Sequence, residues 1–313
     1  MALFGHRGAR GLAPENTLAG FAVARSCGVT GVEFDVGVTA DGVAVVHHDP
    51  RLNADVARDR EGAYVGTEAP LLRDLTYARL AAYDVGRLRA GSDYAARYPE
   101  QAVHDGATIP TLAAALAVLD GLDLLIEVKS SPERKDDTAS PRVMASIVIE
   151  ALRAVGAVER AVLFAFDWLV LREASIIEPR LRRCCLTEPD TVNRGGLWLD
   201  GADLDAFDGK LAQAVAATGA VAWAPFHATL QAAEVIEAQA LGLLVMPWTV
   251  NTTEAFDRMI RFGVDGIISD RPDLARLALE QGGMGVAPPG FVAGISRLVP
   301  EIGASGGVEQ KLP

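Results

Sequence analysis

The chain has 313 residues, of which half are hydrophobic and 22% are charged, and its formal net charge at pH 7 is -12. A chain of this size can bury one large core, since a closed α/β barrel needs only about 250 residues. The negative charge excludes a general nucleic-acid binder, because phosphate backbones select basic surfaces. A small anionic ligand would need local cations to offset the repulsion.

Cysteine content and hydropathy predict a cytoplasmic, soluble protein with no stable membrane insertion. Cys27, Cys184 and Cys185 are odd in number and two of them are adjacent, which suits reduced thiols better than disulfides. Residues 1–6 contain neither a basic start nor a signal-like apolar stretch, and no window of eighteen residues is uninterruptedly apolar. The sequence leaves the oligomeric state open.

Short β-rich runs alternate with Ala-rich helical patterns, which predicts repeated βα units and a parallel sheet. The predicted strands are LFGHR (3–7), VEFDV (32–36), LLIEVK (124–129), AVLFAF (161–166), RRCCLT (182–187), AVAWAP (220–225), LLVMPWTV (243–250) and DGIISD (265–270). An open doubly wound sheet is the alternative, but the first strand-to-helix turn lacks a GxGxxG run. Eight units favour a TIM (β/α)8 barrel.

The second and third predicted strands are separated by far more chain than a βα connection needs. The run GVTADGVAVVHHD is typical of a hairpin that turns at Asp41-Gly42. Residues 51–108 are then predicted to form a small, lid-like inserted subdomain, so that the barrel comprises residues 1–50 and 109–281. Residues 282–313 are rich in Gly and Pro and are interpreted as a tail.

Three acids end neighbouring strands of this predicted barrel. Side chains alternate along a strand, so Glu33 and Asp35 face the same side, and Glu127 on the next strand is placed to join them. Three converging carboxylates repel by about 4 kcal/mol per pair at 4 Å and an effective dielectric of 20, a penalty that a divalent cation would remove. All-oxygen ligation favours Mg²⁺ or Ca²⁺. The alternative is internal ion pairing with Arg7 and Lys129.

Two histidines are predicted at the same rim, His6 at the end of the first strand and His48 at the end of the hairpin. Such a pair can divide acid and base roles, although the sequence does not assign them. His47 alternates with His48 and is expected to face away. Arg7 and Lys129 are candidate phosphate ligands, the former as a planar fork and the latter as a point charge.

Two further positions lie close to this rim. Trp248 lies near the end of the seventh strand and is interpreted as a pocket wall, with core packing as the alternative. Asn16 precedes the first helix and is interpreted as its N-cap.

These motifs resemble those of the glycerophosphodiester phosphodiesterases. The matching motifs, in chain order, are HRG (6–8), PENT (14–17), ExD (33–35), DG (41–42), HD (48–49), IEVK (126–129), WTVN (248–251) and DGIISDRP (265–272). The resemblance spans nearly residues 3–275. It departs from the family pattern at two places. AFD (165–167) has Ala where the family often has Ser, and HH (47–48) replaces a single His.

The resemblance implies a TIM barrel that hydrolyses a glycerophosphodiester, a small molecule, to an alcohol and glycerol 3-phosphate. The roles it implies are Mg²⁺ or Ca²⁺ ligation by Glu33, Asp35 and Glu127, acid-base catalysis by His6 and His48, and phosphate binding by Arg7 and Lys129. Attack by the substrate's own glycerol 2-hydroxyl and attack by water both stay open. The divergent insertion is expected to decide substrate identity.

Two alternative functions are considered. A lysophospholipase D-type enzyme would need an apolar groove for an acyl chain, for which Leu71, Leu72 and Leu75 of the insertion are candidates, although their spacing is also typical of helix packing. A barrel that binds phosphodiesters without cleaving them is the second alternative, because fold alone does not establish catalysis.

Overall fold

A computed structural model of the protein describes residues 1–294 as a parallel barrel with one antiparallel hairpin strand. Its strands are β1 (Ala2–His6), β2 (Gly31–Val38), β3 (Ala44–Val46), β4 (Asp123–Val128), β5 (Ala161–Ala165), β6 (Arg182–Thr187), β7 (Ala222–Pro225), β8 (Leu244–Val245) and β9 (Gly266–Ser269). The spatial order is β8-β7-β6-β5-β4-β2-β1-β9, and β3 pairs antiparallel with β2. Each predicted barrel strand is therefore present.

Backbone hydrogen bonds join the two edges of this sheet. Asp265 N donates to Val245 O at 3.0 Å, and Ile268 N donates to Pro247 O at 3.1 Å. Val250 N donates in turn to Ile268 O at 3.0 Å. The sheet is thus nearly closed, and the predicted TIM barrel is confirmed.

Helices cover the outside of the barrel and connect successive strands. They are α1 (Leu18–Ser26), α2 (Tyr77–Leu80), α3 (Asp93–Arg97), α4 (Leu112–Val118), α5 (Pro141–Ala154), α6 (Trp168–Ile177), α7 (Pro189–Val192), α8 (Leu211–Ala217), α9 (Ala232–Ala240), α10 (Thr253–Phe262), α11 (Pro272–Gln281) and α12 (Phe291–Gly294). Short 3-10 turns occupy Leu72–Asp74, Val158–Arg160 and Leu204–Phe207. Within residues 1–294, none of the helices combines the length and the apolar character needed to cross a bilayer.

The N-cap of α1 is Thr17, whose hydroxyl accepts a hydrogen bond from Gly20 N at 3.0 Å, so the interpretation of Asn16 as the cap is wrong. Asn16 has a positive φ of 54° and turns its side chain toward the barrel mouth. The C-terminus of α10 is capped by Gly263, which has a left-handed conformation with φ 71° that glycine adopts without steric cost.

Alternation along the strands divides the buried apolar side chains into two layers. The barrel interior holds an apolar cluster that includes Phe4, Leu125, Phe164 and Met246. A larger cluster fills the space between strands and helices, with Phe34 and Trp168 among its members. The site-bearing strands are therefore packed on both faces.

Residues 51–108 pack around a third apolar cluster, which touches the barrel through Val45 of β3. Leu72 and Leu75 are 4% and 3% exposed within that cluster. They hold the insertion together, and an acyl groove built from them, which was considered above, is not present.

Residues 282–294 close the N-terminal end of the barrel, opposite the candidate site. Ala287 N donates to Met1 O at 2.9 Å, and the carboxylate of Asp123 accepts from the backbone N–H groups of Gly290 and Val292, both at 2.9 Å. Val292 is fully buried in the barrel interior. Residues 295–313 of the predicted tail lie outside the described residues.

We expect Val292→Ala to lower the free energy of unfolding by about 2 kcal/mol, because it removes buried methyl groups and leaves a cavity. The matched control, Val155→Ala, changes a side chain that is 54% exposed and should cost less than about 0.5 kcal/mol. Urea titration with an unchanged slope measures both values. Equal losses for the two variants would contradict the burial of Val292.

Candidate active site

Sheet register brings the predicted site residues to one rim of the barrel. His6 on β1 is the partner of Glu33 on β2, and Asp35 on β2 is the partner of Glu127 on β4. His48 reaches the same rim from the hairpin. A cavity of about 130 Å³ at this rim is lined by His6, Arg7, Arg10, Glu33, His48, Glu127, Lys129, Phe164, Phe166, Leu186, Trp248, Thr249 and Ile268.

Glu33, Asp35 and Glu127 form a compact carboxylate cluster, of which Glu33 and Glu127 line the cavity. One oxygen from each lies within 4.8 Å of the others, and the side chains are 4%, 1% and 9% exposed. Burial and the neighbouring charges of Asp35 and Glu127 raise the pKa of Glu33 well above its usual range. Burial raises the pKa of Glu127 to about 7, against the opposing effect of Lys129. The arrangement is costly with all three groups ionised.

The cluster fits a hard divalent cation. Its donors are all carboxylate oxygens, the set that Mg²⁺ and Ca²⁺ prefer. Among the described residues, the buried oxygen Glu33 Oε1 has no hydrogen-bonding partner, although buried polar atoms usually have one. An ion bound there would satisfy it.

Two cations contact the same carboxylates, as in the ion-pair alternative considered above. Lys129 Nζ contacts Glu127 and lies 2.9 Å from Asp35 Oδ1, and Arg7 Nε lies 3.3 Å from Asp35 Oδ2. Burial alone would raise the pKa of Asp35, but Lys129 and Arg7 hold it well below its usual range. Asp35 is therefore an anion at neutral pH.

These ion pairs do not neutralise the whole rim. Five largely buried carboxylates face three permanent cations in the described structure: Glu15, Glu33, Asp35, Glu127 and Asp270 against Arg7, Arg10 and Lys129. Internal pairing and cation binding are thus compatible, because the carboxyl groups outnumber the permanent cations that pair with them.

His6 is held between two carboxylates. Its Nδ1 lies 2.7 Å from Asp270 Oδ1, and its Nε2 lies 3.7 Å from Glu33 Oε2. Burial lowers the pKa of His6 to about 4, although Asp270 acts in the opposite direction. The ring is neutral at pH 7, with Nε2 on the cavity side.

His48 has a similar arrangement on the opposite side of the cavity. Its Nδ1 lies 2.7 Å from Asp49 Oδ1, and burial, with the charges of Arg7 and Lys129, lowers its pKa to about 4. His47 is turned away, with Nε2 3.2 Å from Arg51 O, and does not line the cavity. The structure therefore places His6 and His48, but not His47, around one pocket.

Trp248 forms part of the cavity wall. Its Nε1 donates to Ala224 O at 2.9 Å, and its ring meets Phe166 and Phe226 at centroid distances of 5.3 Å and 5.5 Å. The hydrogen bond fixes the ring in place. Trp248 therefore both packs against neighbouring aromatic side chains and lines the cavity, as its two interpretations suggested.

The cavity opens into a groove over the loops that follow β4, β5 and β6. A compartment of about 370 Å³ shares His48, Lys129 and Phe166 with the cavity, and a further one of about 610 Å³ adjoins it across Ser130 and Ser131. Of residues 51–108, Arg73 alone lines these compartments. The groove is therefore lined mainly by residues outside the insertion, and the expectation that the insertion decides substrate identity stays a prediction.

The insertion instead supports the loop between β1 and α1. Tyr94 contacts Glu15 and accepts a hydrogen bond from Arg10 Nη1 at 3.3 Å, and Gln101 Nε2 donates to Arg10 O at 2.8 Å. Residues of α3 and the segment after it thus brace the side of the site that carries His6.

Sequence reasoning missed four polar residues of the site. Asn16 Nδ2 donates to Asp35 Oδ2 at 2.8 Å, Glu15 Oε1 accepts from Arg7 Nη1 at 3.1 Å, and Arg10 and Asp270 form an ion pair beside His6. The motifs PENT and DGIISDRP contain three of these positions and were the available signal. No local spacing marks Arg10.

Comparison with known proteins agrees with this geometry. The model of the glycerophosphoryl diester phosphodiesterase family matches residues 6–274. A glycerophosphodiester phosphodiesterase of Caldanaerobacter subterraneus subsp. tengcongensis is 27% identical over 283 residues, which cover 89% of this chain and 97% of the relative.

Solved structures are similar over nearly their whole length. One from Silicibacter pomeroyi, described as a candidate glycerophosphoryl diester phosphodiesterase, is 37% identical with a TM-score of 0.83, and the match covers 91% of this chain and 95% of that one. A phosphodiesterase of Oleispira antarctica in complex with its product sn-glycerol-3-phosphate shares the fold at 22% identity and a TM-score of 0.65, with coverage of 90% and 97%.

Proposed function

The chain belongs to the glycerophosphoryl diester phosphodiesterase family, and we propose that it hydrolyses glycerophosphodiesters to an alcohol and sn-glycerol 3-phosphate at the mouth of its barrel. One observation carries the proposal: two histidines, two acids and three cations line a single cavity of about 130 Å³, and a third acid, Asp35, completes the carboxylate cluster beside it. Membership of a hydrolase family argues against a barrel that only binds phosphodiesters.

Glu33, Asp35 and Glu127 would hold Mg²⁺ or Ca²⁺ in this proposal. The bound ion would offset the negative charge of the rim and polarise a phosphoryl oxygen. Asn16, through its 2.8 Å hydrogen bond to Asp35 Oδ2, orients one of these ligands. The unpartnered Glu33 Oε1 is the feature that supports the assignment.

Arg7 and Lys129 would bind the non-bridging oxygens of the phosphodiester. Arg7 keeps its guanidinium in place through Glu15, at 3.1 Å, and Lys129 lies beside Glu127 at the same rim. Charge-assisted hydrogen bonds from both would fix the phosphorus next to the histidines. Their charges also give an anionic substrate a local attraction within a chain of net charge -12.

His6 and His48 would transfer the protons. Both are neutral at pH 7, so one can accept the proton of the attacking hydroxyl as its oxygen bonds to phosphorus. The other histidine would act as the acid in its imidazolium form, which the negative charge of a bound phosphodiester favours, and would give its proton to the leaving oxygen as the second P–O bond breaks. The attacking group is either water or the glycerol 2-hydroxyl of the substrate.

Glycerol 3-phosphate release from glycerophosphocholine tests the proposal. We expect purified protein to release it with added Mg²⁺ or Ca²⁺, and expect chelation or Glu127→Gln to reduce the rate at least about a hundredfold, because the carboxylate cluster loses its ion or a ligand. Glu150→Gln, on the exposed face of α5, is the matched control and should leave the rate unchanged. Full activity after chelation would remove the metal from the mechanism, and absence of turnover with either ion would remove the proposed function.

The two adjacent histidines provide an internal comparison. We expect His6→Ala and His48→Ala each to lower kcat by about 10² to 10⁴, the usual contribution of general acid-base catalysis, because each removes a proton-transfer group. His47→Ala should lower it less than about threefold, since its ring faces the carbonyl of Arg51. A severe His47→Ala and a mild His48→Ala would show that the assignment is reversed.

A second candidate function rests on the outer compartment of about 610 Å³. Its walls include Pro132, Leu169 and Leu197, and Leu197 is 46% exposed. This apolar surface lies at the far end of the groove that begins at His48 and Lys129. It favours a lysophospholipase D-type activity, in which the compartment would receive an acyl chain.

Turnover of lysophosphatidylcholine and glycerophosphocholine separates the two candidates. If the compartment takes the chain, Leu197→Asp should lower kcat/KM for lysophosphatidylcholine about tenfold, because burial of each methylene contributes about 0.8 kcal/mol, and should spare glycerophosphocholine. Leu241→Asp is the control, since Leu241 is 44% exposed and distant from the groove lining. Equal loss on both substrates would remove the second candidate, and exclusive use of the acylated substrate would overturn the first.

A further inference from the structure

Asp270 lies just beyond β9 and is 1% exposed, yet it carries none of the roles assigned above. Its Oδ1 is 2.7 Å from His6 Nδ1, a contact between residues 264 positions apart in the chain. An ionised carboxylate has no hydrogen to donate, so it can only accept a hydrogen bond. This short contact therefore places the hydrogen of the neutral imidazole on Nδ1.

A set of donors holds the Asp270 carboxylate in one orientation. Arg10 donates from Nε to Oδ1 at 2.8 Å and from Nη2 to Oδ2 at 3.0 Å, and Asn251 Nδ2 donates to Oδ2 at 2.7 Å. Tyr98 of the inserted segment adds a contact of 3.5 Å to Oδ2. The two-point pairing with Arg10 keeps Asp270 anionic and rigid.

The opposite ring nitrogen of His6 faces the carboxylate cluster. Nε2 lies 3.7 Å from Glu33 Oε2, and His6 lines the cavity beside Arg7 and Lys129. Arg10 Nη2 also lies 3.2 Å from His6 Nδ1, but two donors cannot bond each other, so the shorter contact with Asp270 decides the tautomer.

We propose that Asp270 is a positioning residue that fixes the ring of His6 and its Nδ1–H tautomer, leaving the Nε2 lone pair directed at the reacting phosphodiester. This inference rests on the proposed role of His6. His48 has a comparable partner in Asp49, but that pair is adjacent in sequence and its side chains are 31% and 35% exposed. His6 depends instead on a group supplied by the last strand of the barrel, which pairs with β1.

Asp270→Asn tests the inference because the surrounding donors dictate how the new amide lies. Three donors converge on Oδ2, whereas Arg10 Nε is the one permanent donor to Oδ1, so the amide oxygen should take the Oδ2 place and the NH₂ group should face His6 Nδ1. That nitrogen would then have to accept, which moves the ring hydrogen to Nε2. An analogous exchange in serine proteases produces the wrong histidine tautomer and a loss of about 10⁴ in kcat.

We expect Asp270→Asn to lower kcat for glycerophosphocholine at least about a hundredfold with KM changed less than about threefold. Nitrogen-15 NMR of histidine-labelled protein should show His6 as the Nδ1–H tautomer in the unsubstituted chain and as Nε2–H in Asp270→Asn. A His6→Gln sample assigns the signal among the five histidines. Asp273→Asn, at a surface acid that pairs with Arg271, is the matched control and should alter neither readout.

An Nε2–H tautomer of His6 in the unsubstituted chain would overturn the inference without any variant, even if Asp270→Asn fails to fold. Full kcat in a folded Asp270→Asn protein would overturn it as well. The tautomer is measured without turnover, so a chain that shows the expected signal but cleaves no glycerophosphodiester would contradict the proposed function rather than the placement of the proton.

Discussion

Glu33, Asp35 and Glu127 are almost completely shielded from water at the ends of two neighbouring strands, and transfer of ionised carboxylates from water is expensive unless each finds a partner. The surrounding structure supplies partners. Arg7 and Lys129 contact the acids directly, and the backbone N–H of Arg7 donates to Glu33 at 3.0 Å. Under the proposed function, the carboxyl oxygens left over would bind a divalent ion, and Arg7 and Lys129 would bind the phosphodiester.

Much of this could be predicted from sequence because parallel strands bring their carboxyl ends to one rim. Alternation within VEFDV and IEVK, together with the strand count, was enough to bring three acids and two histidines together. Asn16 and Glu15 were missed because the turn that contains them uses a left-handed residue, which a helix-cap pattern does not reveal. Asp270 was missed because its contact with His6 exists only after β1 and β9 pair.

The contacts of the insertion could not be predicted from local sequence patterns. Its length suggested a lid, yet it carries its own apolar cluster and turns Tyr94, Tyr98 and Gln101 toward the loop behind His6. The groove is lined by the loops after β4, β5 and β6, and no motif in the sequence marks these loops. The folded positions of these loops depend on contacts between segments that are distant in the chain. The hydrophobic periodicity of a sequence does not predict such contacts.

Pairing of β1 with β9 joins the first and the last strand of the chain, and the contact between His6 and Asp270 lies at that pairing. A ribosome makes the histidine first and the aspartate more than 260 residues later. A nascent chain that still lacks β9 therefore has an open sheet and an unsupported imidazole, even though its carboxylate cluster has already been synthesised. Under the proposed function, His6 therefore gains its positioning carboxylate only when the last strand joins the sheet.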